Sequence, residues 1–211
     1  MRENYITVGD SANAEILIQK SRFIGHVARV ETEQQAIEFI DSIKLLHRSA
    51  THNCSAYLIG EHDSIQKAND DGEPSGTAGF PMLEVLKKQG LKDVVIVVTR
   101  YYGGIKLGSG GLIRAYGRTA SAAISAAGTV ERKLHHLMKI SIDYTWLGKL
   151  ENEVRQSPYP LDHLEYKEGV DLYIHVAVEK EEEFINWINE LTNGQAQISK
   201  EYSEFLDFKL S

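Results

Sequence analysis

The stretch from Lys92 to Thr129 constrains this chain more than any other. Val94 to Val98 is an unbroken β-branched run, short enough for a strand buried on both faces. Arg100, Tyr101 and Tyr102 follow it, and then comes a loop with glycines at positions 103, 104, 108, 110 and 111, where the backbone can approach whatever it holds. Leu112 to Ala127 reads as a helix, with Leu112, Ala115, Tyr116, Thr119, Ala123 and Ala126 on one stripe. Arg114 and Arg118, one turn apart, share another face.

Charge gives this stretch a second meaning. Residues 94–130 contain no Asp or Glu and carry Arg100, Lys106, Arg114 and Arg118, in a chain whose net charge is −7. A strand that enters a helix through a glycine loop turns unpaired amides and the positive end of the helix dipole outward, a natural setting for anions. No established phosphate loop is spelled. Gly103-x-x-x-x-Gly108 leads into Ser109 rather than a lysine, and Gly108-x-Gly110 reaches Ile113 where a dinucleotide loop needs a third glycine. Two readings stay open. In one, Arg100, Tyr102, Gly103, Gly104, Lys106, Gly110, Gly111, Arg114 and Arg118 contact an anion or nucleic acid. In the other, the glycines serve tight strand-to-helix packing and the bases form a solvated face.

The charge is unevenly spread: residues 1–133 sum to +1 and residues 134–211 to −8. Such a split predicts two units with different partners, 1–133 and 134–211, with the boundary at Glu131 to His135. An acidic second half also argues against uniform coating of nucleic acid. Cys54 is the sole cysteine, so no internal disulfide forms. No apolar window is long enough for a signal peptide core or a membrane span, and a cytoplasmic protein is expected.

Along the first half, Tyr5 to Val8 and Ala14 to Gln19 alternate around Gly9 to Asn13 as a hairpin would, and Phe23 to Val30 is a further strand. Thr32 and Gln35 spell a capping box for a helix with Ala36, Phe39, Ile40, Ile43 and Leu46 on its stripe, ending near His47. Ala50 to Ile59 returns as a strand. Asn69 to Gly79 is too rich in turn formers for regular structure, Pro81 opens a short helix and Gly90 stops it. In the second half, Met138 to Tyr144, Leu147 to Arg155, Leu164 to Lys167, Leu172 to Val178, Glu181 to Leu191 and Ile198 to Phe208 give the order β-α-β-β-α-β of a ferredoxin-like unit. The fold class is therefore α+β.

Three constellations bear on chemistry. His52 and Cys54 share a strand face, which suits either a thiol beside its base or a buried cysteine beside a hydrogen-bonded histidine. Asp70, Asp71 and Glu73 could hold a hard cation, cap the turns of their own loop, or hold the basic loop in place through Arg100 and Lys106. No cofactor or resident metal is expected from them. Of the adjacent Tyr101 and Tyr102, one at most can stack on a base while the other packs inward.

Ala50 to Cys54, Asn69 to Gly79, Arg100 to Gly111 and Arg114 to Gly117 together resemble the IMPACT family, and the whole chain is similar to its bacterial two-domain members. The resemblance implies an N-terminal α/β domain like a ribosomal-protein domain and the fourth domain of elongation factor G, followed by a tail like that factor's ferredoxin-like fifth domain. It implies a translation-linked role, since eukaryotic members regulate initiation under amino-acid starvation by binding a protein partner. It supplies no catalytic residues. Phe80 stands where a basic residue is expected. Contact with RNA or the ribosome through the basic loop and helix, without enzymatic activity, is the leading expectation. A metal-dependent phosphate-ester hydrolase and a protein-binding module in translation control are the alternatives. The oligomeric state is not legible.

Overall fold

The all-aliphatic run becomes β6 (Val94–Tyr101), the middle strand of a five-stranded sheet in the computed structural model, which describes residues 2–210. Its neighbours are β3 (Ser21–Arg29) and β4 (His52–Ile59), with β2 (Ala12–Ile18) and β5 (Ile65–Asn69) outside them, in the order β2-β3-β6-β4-β5. All four pairings are antiparallel. Helices cover both faces, so every residue of β6 from Val94 to Arg100 is buried. On one face α2 (Gly79–Lys88) and α3 (Gly108–Ala127) pack over Phe23, Cys54, Leu58, Ile96 and Val98. On the other, Ala36 of α1 (Glu33–Leu46) joins Tyr57, Ile59 and Val95.

Local signals set the helix ends as the residues suggest. The Thr32 hydroxyl accepts from the Gln35 amide and the Gln35 side chain returns to the Thr32 amide, so the capping box is complete. Beyond α2, Gly90 takes φ +67°, the Gly90 amide donates to Lys87 O and the Leu91 amide to Leu86 O. That bond pair is a Schellman stop, and it turns the chain back toward β6.

The predicted hairpin of Tyr5 to Val8 with Ala14 to Gln19 does not form. β1 (Asn4–Val8) pairs with β7 (Thr129–Ile142), and the Gly9 amide donates to Gly128 O at 3.0 Å. β2 pairs instead with β3, Ile18 opposite Ser21. The two residues of that turn, Gln19 and Lys20, both have positive φ, +43° and +67°. A two-residue turn of this kind matches the strand twist but is usually built from Asn and Gly, so its sequence carried no turn signal.

The described residues group into two units, one holding the chain up to Arg132 together with the residues from Asp207 on, the other Lys133–Leu206. Within the first, Asp207 pairs with Arg29 at 2.6 Å and Arg132 at 3.0 Å, and the Leu210 amide donates to Thr129 O. The second is built from β7, α4 (Tyr144–Gln156), β8 (Leu161–Tyr166), β9 (Val170–Ala177), α5 (Glu181–Leu191) and β10 (Gln197–Lys209), the succession the sequence predicts. Its strands are ordered β8-β9-β7-β10. Met138, Ile140, Leu172 and Ile174 meet Leu150 and Val154 of α4 and Phe184 and Ile188 of α5.

Candidate functional site

The basic loop divides into residues that hold the fold and residues that face outward. Arg100 belongs to the first group: it is only 5% exposed, and its Nη1 donates to Glu73 Oε1 at 2.7 Å. Tyr116 of α3 donates its hydroxyl to the same oxygen at 2.7 Å, while its ring sits edge-on to Phe23. Glu73 thus ties the 69–79 loop to both β6 and α3. The Arg100–Glu73 pairing is the loop-holding reading of the acidic cluster; Lys106 takes no part in it.

The other two carboxylates of that cluster serve backbone donors. Asp70 accepts from the amides of Gly76, Ala78 and Gly79 at 2.7–3.0 Å, so it caps α2, whose own N-cap residue Ala78 has no side chain to do so. Burial raises the Asp70 pKa, but these amide bonds outweigh it and hold the carboxyl below its ordinary value. Asp71 accepts from the Asn53 amide at 2.7 Å and pairs with Lys44. The three side chains diverge, and among the described residues no group of three or more His, Cys, Asp or Glu is placed to hold a metal ion.

Cys54 and His52 are likewise turned to separate tasks. The Cys54 thiol is fully buried and donates to Asp70 O at 2.9 Å. Burial pushes its pKa up to about 12, against the lowering effect of the Tyr116 hydrogen bond. A thiolate nucleophile needs the opposite shift. His52 Nδ1 lies 2.8 Å from Asp71 O; a carbonyl only accepts, so Nδ1 carries the proton.

Gly103 is required by the chain itself. A Cβ there would lie 2.1 Å from the carbonyl of Lys20, so the loop crosses directly over the Gln19-Lys20 turn, and the Gly103 amide donates to Ser21 Oγ. Gly111 is close-packed against Leu107, whereas Gly104 and Gly108 adopt positive φ with open space beyond. Gly110 has neither constraint: no positive φ and nothing within 4 Å of its Cβ position.

The outward group is Lys106, Arg114 and Arg118, all exposed, with no carboxylate partner among the described residues. Arg114 and Arg118 line a cleft of about 660 Å³ with Ile18, Gln19 and Val85. Nearby, α3 starts without a side-chain cap and without an acid in its first turn, leaving the amides of Gly108, Ser109 and Gly110 with no acceptor among the described residues. Tyr102 is 44% exposed, while Tyr101 packs on His47 and meets its Nδ1 through the hydroxyl at 2.9 Å. His47 Nε2 in turn lies 3.1 Å from His26 Nε2, a chain of polar groups from three separate elements that no sequence spacing announces.

No helix among the described residues is long and apolar enough to cross a membrane. The Impact N-terminal domain family matches residues 19–124, and a domain of unknown function, DUF1949, matches residues 140–195. The chain is 56% identical over 207 residues to the IMPACT family member YvyE of Bacillus subtilis, covering 98% of this chain and 95% of that protein. It is 40% identical over 95 residues to the protein IMPACT homolog of Dictyostelium discoideum, covering 43% of this chain and 27% of that one. A crystal structure of a hypothetical protein superposes with a TM-score of 0.62 at 31% identity, over 96% of this chain and 99% of the other.

Proposed function

The chain belongs to the IMPACT family, and on that premise we propose that it is a non-enzymatic, translation-linked protein of the cytosol that contacts RNA or ribosomal phosphate through the exposed face of α3. One observation carries this reading: Lys106, Arg114 and Arg118 stand in solvent without carboxylate partners, inside a stretch from 94 to 130 that has none to offer. Cations so placed cost nothing to desolvate from a partner before meeting phosphate, and the uncapped amides of α3 add to the same field. Arg100 acts here as a support, holding the loop through Glu73. Read as a ferredoxin-like unit, the acidic second half sits away from phosphate or meets a protein.

The test is RNA affinity against salt. Three phosphate contacts on a single strand give a slope of roughly −2 in log affinity against log salt. The double variant Arg114→Ala plus Arg118→Ala is expected to remove about two-thirds of that slope. A flat dependence, or an unchanged double variant, removes the reading.

A further inference from the structure

The uncapped end of α3 opens onto a second pocket, of about 340 Å³, lined by Glu73, Arg100, Tyr102, Lys106, Gly108 and Ser109. Arg100 forms its floor. Nη1 is engaged by Glu73, but Nε is buried with no hydrogen-bond partner among the described residues. A buried guanidinium N–H left unmatched is costly, and a ligand oxygen would satisfy it. The guanidinium carbon lies 5.3 Å from the ring centroid of Tyr102, a residue 44% exposed. In the first turn of α3, directly after the lining residue Ser109, Gly110 is required neither by its backbone angles nor by any neighbour, although glycine weakens a helix relative to alanine. Its use is understood if something approaches these amides more closely than a Cβ would permit.

We propose that this pocket binds the terminal phosphomonoester of a nucleotide, with the phosphoryl oxygens on Arg100, Lys106 and the first-turn amides of α3 and the base against the free face of Tyr102. The proposal rests on the nucleic-acid reading above and names the part of the ligand that is recognised. A terminal group is favoured over an internal one because the floor is closed by Arg100 and Glu73, and the volume suits a single nucleotide unit rather than a strand passing through. Glu73 Oε1 is taken by Arg100 and Tyr116, while His52 Nε2, in a ring whose proton sits on Nδ1, lies 3.9 Å from Oε2. Oε2 is thereby left to accept a ribose hydroxyl, a usual task for a carboxylate beside a bound nucleotide. Free mononucleotides and the ends of RNA strands share this chemistry.

The experiment compares one short RNA oligomer phosphorylated at its 5′ end, at its 3′ end or at neither, and separately AMP against adenosine, on the full-length protein. A terminal phosphate is expected to tighten binding about tenfold or more, the factor that one or two charge-assisted hydrogen bonds supply. Gly110→Ala, which adds a methyl group in open space and leaves the melting temperature unchanged or higher, is expected to abolish that gain. A preference for a phosphorylated end assigns the pocket to RNA termini. AMP bound more tightly than adenosine, with no oligomer bound, assigns it to free mononucleotides and removes the RNA reading while the pocket stands. Equal oligomer affinities together with no preference for AMP over adenosine overturn the proposal, as does a phosphate-dependent gain that survives in Gly110→Ala.

Discussion

Arg100 and Glu73 form an ion pair at 2.7 Å with their side chains 6% and 3% exposed, which makes the carboxylate the tie between the central strand and the 69–79 loop. Removing one partner strands a buried charge, so Glu73→Ala is expected to lower stability by about 3–5 kcal/mol. Tyr116→Phe removes one hydrogen bond to the same oxygen and a weak one from the Cys54 thiol, and is expected to cost about 1–2 kcal/mol. Urea denaturation of both variants checks the ranking; equal effects would mean that the pair is not the principal tie.

Gly103→Ala places a methyl group against the Lys20 backbone, where no flexible side chain can yield. The substitution is expected to cost about 3 kcal/mol or more, since either the loop or the Gln19-Lys20 turn must move. Thermal unfolding of Gly103→Ala beside Gly104→Ala separates this overlap from the strain of a positive φ, which alone costs about 1–2 kcal/mol.

Stability is expected to fall with acidity between pH 6.5 and 4. Burial, and then the charge of His47, lower the His26 pKa to about 4, from an ordinary 6.5. Over that interval the unfolded chain takes up a proton that the folded one refuses. The contribution is therefore complete above pH 6.5 and is lost as the pH falls through about 4. Denaturation midpoints across this range should slope less steeply in His26→Gln; an identical slope would assign the effect to other groups.

Cys54 is expected to resist alkylation in the native protein. Its thiol is fully buried and its pKa is pushed up to about 12, so almost no thiolate exists at pH 8. Labelling by iodoacetamide should track global unfolding across a urea series. Rapid modification without denaturant would contradict the burial.

What was legible in the sequence was local. Thr32 with Gln35, Pro81, Gly90 and the β-branched run each act within one or two turns of chain, and the elements they predict are present. The pairing of β1 was not legible, because its partner β7 lies more than 120 residues away and the Gln19-Lys20 turn lacks the usual residues. Arg100 shows a second limit. Composition puts it in a carboxylate-free stretch, yet the loop ending at Gly79 folds back and delivers Glu73 from 27 positions earlier. Among the described residues Lys106, Arg114 and Arg118 have no such visitor, so for them the one-dimensional charge pattern survives in space.

Asp207 meeting Arg29 and Arg132 has a practical consequence for anyone dividing the gene. A fragment ended at the apparent boundary would lose the carboxylate that two guanidinium groups share, along with the Leu210 amide on Thr129. Grafting the closing residues back, by circular permutation or as an added peptide, is the cut that keeps the first unit whole.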